Sequence, residues 1–417
     1  MDFCINLPNE VSFILNILIS NGFEAYIVGG CVRDSIIGTT PGDWDITTNA
    51  LSDKVKSLFE KTVDTGIKHG TVTVMVDGVS FEVTTYRTDG IYEDNRRPVG
   101  VRFTSSIEAD LSRRDFTMNA IAYHPITGFI DPFGGIADIK SKLIRTVGNA
   151  DERFKEDALR MLRAVRFSCR LNFSIHDDIF KSIFNNSSLI CYISRERVRD
   201  ELTGILTSDY PLKFILLRDT GILQFILPEF EACAAVHSLH AVESIENDAC
   251  LRWTMLLHEK SALMASIILN RLRFDKRSIK KIRRLITHHD RDIGLDHKAV
   301  RKAAAVVGDD LFEDLLKVKE ADKIAQNPEY REHGLAEIYR IRQIYCEIKE
   351  DGQCLDVKSL AVNGNDLLGL GFPKSGKIGE ALNKLLDMVI DEPGLNRKDT
   401  LLKLADGMLH DIGNNNA

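Results

Sequence analysis

The spacing of apolar residues changes near Lys140, and this change constrains the fold more than any other feature of the sequence. Upstream, the runs Thr71 to Val76, Val79 to Tyr86 and Ile121 to His124 have the composition and length of strands. Asp77-Gly78 predicts a tight hairpin between the first two runs. Downstream, apolar residues recur every three or four positions, as in amphipathic helices. We therefore predict an α+β chain in which helices follow a β-containing part.

Helical spacing continues over most of the chain after that point. From Glu156 onward, a turn of about 100° per residue places apolar residues on one arc, and Asp157 with four arginines on the other. We expect the first arc to pack and the second to present its charges. The segments with helical spacing are Phe154 to Cys169, Arg197 to Leu206, Arg252 to His258, Ala262 to Leu272 and Ala381 to Ile390.

Two glycines follow the apolar segment Ala25 to Val28, which we predict to be a buried strand. Gly29 and Gly30 would let the backbone turn sharply and approach a ligand closely, and the first amides of the next helix would face an anion. Arg33 could bind the same anion through its forked guanidinium. Alone, the glycine pair is more typical of an ordinary turn, so this interpretation depends on the residues beyond it.

Asp43 and Asp45 alternate with Trp44 and Ile46 a short distance further on. On a strand, both carboxylates would point to one face, as two hard oxygen ligands of Mg²⁺ should. The alternative is a solvated, Asp-rich start of a strand. In combination with the glycine pair and Arg33, the two aspartates favour a phosphate cradle beside a metal site.

Four further motifs come later in the chain. They are Arg113-Arg114-Asp115-Phe116-Thr117-Met118-Asn119-Ala120, then Asp131-Pro132-Phe133-Gly134-Gly135 with Asp138, then Glu156 to Phe167, and then Glu196-Arg197-Val198. Together with the region from Gly29 to Asp45, they resemble the motifs of the class II tRNA nucleotidyltransferases. This family of the polymerase β superfamily contains the CCA-adding enzymes and the bacterial poly(A) polymerases. The resemblance is close over about the first half of the chain and diffuse over the second.

The resemblance implies an N-terminal polymerase β-like nucleotidyltransferase head with a small mixed or antiparallel sheet, followed by an all-α neck, body and tail. We expect the catalytic head over residues 1–140 and a neck that recognises nucleotide bases over residues 141–210. A helical body with an eroded HD-like region would cover residues 211–300, and a tRNA-binding helical tail residues 301–417.

The resemblance also implies the catalytic residues. Nucleotidyl transfer uses two metal ions to stabilise the attacking and leaving oxygens. Asp43 and Asp45 would be the ligands of this two-ion Mg²⁺ site. A third acid on a neighbouring strand is usual in the superfamily, and Glu82, flanked by Phe81 and Val83, is the candidate. An exposed strand acid is an equally good interpretation of Glu82.

Choosing C and A without a template requires a hydrogen-bond acceptor beside a donor. Both bases present an amino group beside a ring nitrogen, whereas U and G present a carbonyl and an N–H. Asp157 and Arg160 fit this need, and the family assigns base recognition to these motif positions. By resemblance, Arg114 would steady Asp157, and Asp115 and Asn119 are candidates for ribose recognition. The predicted nucleotide-binding set is Gly29, Gly30, Arg33, Arg114, Asp115, Asn119, Asp157, Arg160, Arg163 and Arg166.

The segment between Tyr86 and Phe103 is polar, contains glycine and lacks periodicity, which predicts a mobile loop. A passive surface linker is the alternative. The resemblance implies that a flexible loop here supports the switch from C to A addition, and that enzymes restricted to CC addition lack it.

Composition limits the partners and the compartment. The net charge of −7 argues against a protein coated in positive charge, although basic residues cluster at Arg153 to Arg170 and at Arg271 to Arg284. The second cluster is either a solvated helix face or a contact for the tRNA backbone.

The cysteines and the apolar runs bear on the compartment. The eight cysteines are scattered singly, and no apolar run approaches the roughly 18 residues of a membrane span. Met1-Asp2-Phe3 is not a basic signal-peptide start. We expect a cytoplasmic protein with no membrane contact and no obligate protein partner.

One position departs from the family pattern. Many relatives carry a His-Asp pair in the body, whereas here His258 is followed by Glu259. A metal-dependent phosphohydrolase centre needs several His and Asp ligands around its ion. The conceivable partners are more typical of ordinary buried or surface residues, so the sequence predicts no second active site. These partners are His237, His240, His288, His289 and Asp290.

The function predicted from these features is template-independent addition and repair of the 3′-terminal CCA of tRNA, with CTP and ATP as substrates and pyrophosphate as product. Within the family, two alternative functions are kept: an enzyme that adds only A, and a poly(A) polymerase. The acidic balance and the lack of a strongly basic C-terminal extension disfavour the poly(A) polymerase. An inactive tRNA-binding protein of the same fold is the alternative from another class. The presence of four residues disfavours it, namely Asp43, Asp45, Asp157 and Arg160.

Overall fold

The computed structural model describes residues 4–90, 92–93, 97–98, 100–230, 235–326, 328–374 and 376–414. The chain divides into two compact units, Met1–Cys233 and Ala234–Ala417. The first unit contains all the strands found in the described residues, and the described part of the second unit is helical with connecting segments. The predicted α+β class is therefore confirmed.

A mixed seven-stranded sheet forms the centre of the first unit. The strands in the described residues are β1 Ala25–Val28, β2 Asp45–Thr48, β3 Thr62–Gly66, β4 Thr71–Val76, β5 Val79–Thr85, β6 Arg87–Asp89, β7 Tyr92–Glu93, β8 Arg97–Pro98, β9 Val101–Phe103, β10 Ala122–His124, β11 Gly128–Ile130, β12 Leu143–Ile144 and β13 Ser174–Ile175. The order in the main sheet is β11-β10-β1-β2-β5-β4-β3. Only β2 and β5 pair in parallel within it.

Helices α1, α2 and α3 pack on this sheet, and further helices follow it in the first unit and make up the second. Those of the first unit are α1 Asn9–Ser20, α2 Gly30–Ile37, α3 Ser52–Leu58, α4 Ile107–Ser112, α5 Gly135–Lys140, α6 Ala150–Glu156, α7 Leu159–Leu171, α8 Asp177–Asn186, α9 Arg195–Leu206, α10 Leu216–Asp219 and α11 Leu223–Ile226. Those of the second unit are α12 Ala235–Ser244, α13 Ala249–Leu257, α14 Ala262–Arg271, α15 Lys276–His288, α16 His297–Val307, α17 Asp309–Ala325, α18 Pro328–Glu350, α19 Gly364–Gly369, α20 Lys377–Asp391 and α21 Lys398–Asn414. Among the described residues, none of these helices combines the length and the apolar character that crossing a bilayer requires.

The β4–β5 hairpin has the geometry that its sequence predicts. Asp77 and Gly78 both adopt positive φ, 50° and 83°, as a two-residue type I′ turn requires. The predicted strand Val79 to Tyr86 ends one residue earlier, as β5, and the predicted strand Ile121 to His124 begins one residue later, as β10.

Two features differ from the predicted pattern. The short strands β12 and β13 pair in parallel beyond Lys140, where only helices were expected. The helix predicted from Phe154 to Cys169 is interrupted at Asp157, which has φ −141° and ψ 103°. The Asp157 carboxylate accepts a hydrogen bond from the Leu159 amide at 3.0 Å, so its side chain caps the start of α7.

The segment between Tyr86 and Phe103 contains paired backbone. β6 pairs with β9 and β7 pairs with β8, both antiparallel, and the Gly90 amide donates to the Gly100 carbonyl at 2.9 Å. Residues 91, 94–96 and 99 of this predicted loop lie outside the described residues. The described part forms a paired ribbon, and the mobility of the segment stays a prediction.

Candidate active site

The turn between β1 and α2 requires glycine for two reasons. Gly29 adopts φ +84°, and a Cβ added there would lie 2.9 Å from Nη1 of Arg114. The chain then enters α2 at Gly30, so the first amides of this helix follow the turn directly. The predicted strand and glycine turn are both present, with β1 ending at Val28.

Three acidic residues meet at the start of β2. Asp45 is the first residue of this strand, and Asp43 lies just before it, not within it as the alternation suggested. Glu82 of β5 is the registered partner of Asp45 across the parallel pair, so the two side chains project from the same face of the sheet. Burial, reinforced by the negative charge of Asp43 and Glu82, raises the pKa of Asp45 to about 6, although Arg114 opposes this rise. A cation would relieve the repulsion, and an all-carboxylate set suits Mg²⁺.

A cavity of about 430 Å³ opens beside these acids, entirely within the first unit. All the predicted site residues line it except Glu82. The cavity also contains residues that the predicted set lacks, most of them arginines. The lining residues are Gly29, Gly30, Arg33, Asp43, Asp45, Arg113, Arg114, Asp115, Asn119, Asp157, Leu159, Arg160, Arg163, Arg166, Phe167, Arg170 and Arg197.

A chain of four hydrogen-bonded side chains connects α2 to α7 across this cavity. Nη1 of Arg33 donates to Oδ1 of Asn119 at 2.6 Å, and the Asn119 amide donates to Asp115 at 3.1 Å. Asp115 also accepts from Nε of Arg163 at 2.7 Å. Burial alone would raise the pKa of Asp115, but the positive charge of Arg163 and the hydrogen bond from Asn119 outweigh burial and bring this pKa down to about 2.

Asp157 has a partner that sequence reasoning did not assign. Nη2 of Arg197, on α9, donates to Oδ2 of Asp157 at 2.8 Å. The resemblance suggested that Arg114 would steady Asp157, but Arg114 lies 3.7 Å from Asp110 and beside Gly29. The expectation for Arg114 is therefore corrected: Arg197 holds Asp157. Arg197 belongs to the Glu196-Arg197-Val198 motif, so the signal was present in the sequence without a role attached.

Arg114 lies deep in the cavity wall. Its Nε is buried without a hydrogen-bond partner among the described residues. Burial lowers the pKa of this guanidinium, although the nearby carboxylate of Asp110 acts in the opposite direction. A buried donor of this kind is available to an acceptor on a bound anion.

Two arginines of α7 are held by acids of neighbouring segments. Nη1 of Arg160 binds Glu156 at 2.5 Å, and Nε of Arg166 binds Glu201 of α9 at 2.6 Å. Helix α9 approaches α7 closely at Gly204, where an added Cβ would lie 2.6 Å from Cδ of Arg166. Glycine at this position lets Arg166 pass between the two helices.

Phe167 is a second residue that sequence reasoning missed, because its place on α7 is that of an ordinary core residue. Its ring centroid lies 5.1 Å from the guanidinium carbon of Arg33, 5.4 Å from that of Arg163 and 4.7 Å from that of Arg166. Phe116 packs edge-on against the same ring at 5.7 Å between centroids. One aromatic side chain therefore supports three cations of the cavity.

The Asp131 motif supports this site from behind. Both carboxylate oxygens of Asp131 accept backbone amides at the start of α5, from Gly135 at 2.7 Å and Ile136 at 2.9 Å. Asp138 accepts the Thr117 hydroxyl at 2.6 Å, and a Cβ on Gly135 would collide with the Thr117 carbonyl oxygen. The motif thus fixes the short 3₁₀ turn Thr117–Asn119 that carries Asn119 into the cavity.

Histidines of the second unit also come together, contrary to the sequence-based expectation of unrelated buried or surface residues. His237 and His258 both approach Asp322, at 3.0 and 3.2 Å. Asp322 was not among the conceivable partners, because it lies far from both histidines in the sequence.

Three family models match successive parts of the chain. The model described as the poly A polymerase head domain matches residues 25–145, and the probable RNA and SrmB-binding site of polymerase A matches residues 172–233. A model of tRNA nucleotidyltransferase domain 2 matches residues 246–405.

Full-length relatives and a solved structure are similar to the whole chain. The CCA-adding enzyme of Geobacillus kaustophilus is 37% identical over 404 residues, which cover 93% of this chain and 94% of the relative. That of Ligilactobacillus salivarius is 35% identical over 97% of this chain and 98% of its own. The crystal structure of the Bacillus stearothermophilus CCA-adding enzyme in complex with CTP has a TM-score of 0.78 and 30% identity, over 97% of this chain and 98% of the other.

Proposed function

Because this chain belongs to the CCA-adding enzyme family, we propose that it builds and repairs the 3′-terminal CCA of tRNA, with CTP and ATP as substrates. One observation carries this proposal beyond the family name. A single cavity is lined both by the acids Asp43 and Asp45 and by Asp157 with Arg160. Groups suited to nucleotidyl transfer therefore lie within reach of groups suited to choosing a base.

We propose that Asp43, Asp45 and Glu82 hold the metal ions of the reaction. The register that places Glu82 opposite Asp45, and the raised pKa of Asp45, support this assignment. Mg²⁺ bound by these carboxylates would stabilise the attacking and leaving oxygens. The carboxylates themselves lie on or next to two neighbouring interior strands, β2 and β5, and the 3′-hydroxyl of the tRNA would meet the α-phosphate beside them.

The triphosphate is best held by the turn at Gly29 and Gly30. The first amides of α2 follow this turn, and a helix N-terminus favours an anion. Arg33 and Arg114 add positive charge at the same place in the cavity. The absence of a side chain at Gly29 lets the Arg114 guanidinium lie against this turn, because a Cβ there would lie 2.9 Å from its Nη1.

Base selection is assigned to Asp157 and Arg160. An acceptor on Asp157 would take the amino hydrogen of C or A, and a donor on Arg160 would bind the neighbouring ring nitrogen. Arg197 fixes the Asp157 carboxylate at 2.8 Å, so the acceptor is oriented before a nucleotide arrives. Uracil and guanine present the opposite pattern, and either base would leave Asp157 facing a carbonyl oxygen.

The remaining cavity residues act around the sugar and the phosphates. Asp115 and Asn119 are proposed to recognise the ribose, although both already bind protein partners at 2.6–3.1 Å. Any ribose contact would therefore use oxygen lone pairs that remain on these groups. Arg163 and Arg166 would contact the nucleotide or hold the wall of the pocket.

The second unit and the end of the first would bind the tRNA. We propose the predicted division into head 1–140, neck 141–210, body 211–300 and tail 301–417 as functional segments. Helix α15 buries Ile282, Leu285 and Ile286 and exposes four of its basic residues, as either a solvated face or a tRNA contact would; these are Lys276, Arg277, Lys280 and Arg283. The described cysteines are all free thiols, which suits the cytoplasm as the compartment of this enzyme.

Single-nucleotide extension assays test the proposal. Transcripts ending before CCA, after C and after CC are incubated with Mg²⁺ and either CTP, ATP or both. A CCA-adding enzyme adds two C residues and one A to the first transcript, then stops. An A-only enzyme extends only the transcript ending in CC, a poly(A) polymerase continues to add A, and an inactive tRNA-binding protein extends none.

The Asp45→Ala variant tests the assignment of the acids. We expect C and A addition to fall together, because both reactions use the same metal-dependent step. The Asp53→Ala variant is the control, since Asp53 lies in α3 and does not line the cavity. Near-normal turnover of Asp45→Ala would overturn the metal-site assignment.

A further inference from the structure

Three side chains of the second unit converge on one point from three helices. His237 belongs to α12, His258 immediately follows α13, and Asp322 belongs to α17. Nε2 of each histidine faces the same carboxylate oxygen, Oδ1 of Asp322, at 3.0 and 3.2 Å. Within the described part of the chain, this is the one group of three His, Cys, Asp or Glu residues whose ligand atoms all lie within 4.8 Å of one another.

The orientation of His258 is that of a metal ligand. Its Nδ1 lies 2.6 Å from the Met255 carbonyl oxygen, which can only accept, so Nδ1 carries the hydrogen. In the neutral ring, Nε2 then has a lone pair and faces the Asp322 oxygen, which also has only lone pairs to offer. A cation between the two atoms would turn this repulsion into attraction. Histidines that bind metals usually donate their other ring N–H to a carbonyl in this way.

The carboxylate is held in the same manner. Oδ2 of Asp322 accepts a hydrogen bond from the side-chain amide of Gln326 at 2.8 Å, which leaves Oδ1 directed at the two histidines. In two of the three ligands, the polar atom that does not face the cluster is thus already hydrogen-bonded to a protein group. These atoms are Nδ1 of His258 and Oδ2 of Asp322. Such support orients the ligands before an ion is bound.

The cluster is open to a ligand. It lies in a cavity of about 570 Å³, which Glu259, His289 and Asp290 also line. The His258 side chain is 3% exposed, whereas His237 is 30% and Asp322 17% exposed, so an ion can enter from the cavity side. Water molecules in this space could complete the coordination of an ion bound to three protein ligands.

We propose that His237, His258 and Asp322 bind a divalent transition-metal ion, with zinc as the representative of the class. Two imidazole nitrogens and one carboxylate oxygen select zinc, iron, cobalt or nickel over Mg²⁺ and Ca²⁺, which prefer oxygen ligands alone. This site differs in chemistry from the all-carboxylate group Asp43, Asp45 and Glu82, and it does not depend on the nucleotidyltransferase activity.

Zinc titration tests the proposal. The full-length protein, freed of metal with a chelator, is titrated with Zn²⁺ in competition with a chromophoric chelator. The Asp43→Asn/Asp45→Asn double variant serves as the background, so that binding by the head acids is removed. We expect one equivalent of zinc, with affinity at least ~10-fold weaker after His237→Ala or Asp322→Ala. The His240→Ala control removes an exposed histidine of the same helix and should leave the affinity unchanged.

Folding and ligand identity are checked in the same proteins. Thermal unfolding without metal reports whether each variant is folded, and Asp322→Asn, which keeps the side-chain shape, replaces Asp322→Ala if the latter is not. Co²⁺ in place of zinc should give visible absorption bands typical of nitrogen ligands, and His237→Ala should change them. Zinc binding of equal strength in the His237 and Asp322 variants would overturn the proposal. So would the absence of zinc binding in the double variant, which would leave a protonated His258 as the bridge to Asp322.

Discussion

Asp157 performs two tasks with one carboxylate. It accepts the Leu159 amide at 3.0 Å and thereby starts α7, and it binds Arg197 at 2.8 Å. Its remaining lone pairs face the cavity that would hold the base. An isosteric substitution can therefore change the hydrogen-bonding pattern of this residue without removing its cap.

Asp157→Asn should reduce the preference for CTP over UTP. The asparagine oxygen can still cap α7, and its amide nitrogen then takes the place of Oδ2. That nitrogen can donate to the carbonyl of uracil, which the carboxylate repels, but it no longer accepts from Arg197. The loss of one such hydrogen-bond pair predicts a fall in the ratio of kcat/KM for CTP to that for UTP of roughly 5- to 150-fold. Steady-state extension of a tRNA transcript that lacks CCA measures this ratio.

The control for this substitution is Asp200→Asn, which changes an exposed aspartate of α9. It should leave the ratio as it is in the unchanged protein. An unaltered ratio in Asp157→Asn would remove the base-reading role from Asp157.

Asp115 should make the stability of the protein depend on acid pH. Its pKa in the fold is about 2, below the ordinary value of 3.8, so its ionised form stabilises the fold above pH 4 and this contribution is lost between pH 4 and 2. This pKa shift contributes about 2 kcal/mol to the free energy of unfolding at pH 7 and about half of that at pH 3.

Asp115→Asn tests this expectation through urea unfolding at pH 7 and pH 3. The difference in the free energy of unfolding between the variant and the unchanged protein should narrow by about 1 kcal/mol at the lower pH. Asp178→Asn, at a side chain that is 79% exposed, provides the comparison. A constant difference across the two pH values would mean that Asp115 is not the ionised partner of Arg163.

At the scale of elements, the contact between α7 and α9 controls where a cavity arginine lies. The two helices meet at Gly204, and Arg166 of α7 runs over this position to reach Glu201 of α9. A larger residue on α9 would push Arg166 aside without altering any charge. The small residue at position 204 of α9 therefore determines where the Arg166 side chain of α7 lies.

Gly204→Ala should impair nucleotide use because its Cβ would lie 2.6 Å from Cδ of Arg166. We expect kcat/KM for CTP and ATP to fall by roughly 10- to 100-fold, as displacements of about 1 Å can produce. Gly379→Ala is the matched control, since Gly379 lies in α20 with no atom within 4 Å of an added Cβ. Unchanged kinetics in Gly204→Ala would show that Arg166 is not needed in its present place.

The sequence predicted the elements of the site better than the contacts between them. Strand β1, the glycine turn and the hairpin at Asp77-Gly78 are determined by local chemistry, so their patterns could be read directly. The interruption at Asp157 was missed because apolar spacing continues across it, and one capping residue does not disturb a period of 3.6. The partner of Asp157, Arg197, is 40 residues away and had no periodic signal.

The cluster of His237, His258 and Asp322 in the second unit could not be predicted for the same reason. A doublet of histidine and aspartate is visible in a sequence, whereas Asp322 approaches His258 only because α13 and α17 pack together. The spacing of residues along the chain does not predict which helices pack against each other. The histidines could be named from the sequence, but their common acid could not.

At the scale of the whole molecule, the cavity residues all come from the first of two compact units. CTP with Mg²⁺ should therefore slow amide hydrogen exchange most strongly in peptides of that unit. We expect the largest protection around residues 29–33, 113–119 and 157–170, because these segments line the cavity.

Hydrogen exchange followed by mass spectrometry, with and without CTP, measures this protection. The Asp45→Ala variant is the comparison, and its protection should be weaker. Protection that is larger in residues 235–326 than in residues 29–33 would place the nucleotide elsewhere and contradict the proposed site.

The acids that hold the cavity arginines have a thermodynamic consequence. Arg160, Arg163, Arg166 and Arg197 each bind a carboxylate of the protein itself. Fixing a long side chain costs about 0.5–1.5 kcal/mol of conformational entropy, and here that cost falls on folding rather than on nucleotide binding. The wall is ordered before the ligand arrives, so the attraction between wall and nucleotide is not reduced by the cost of ordering these side chains.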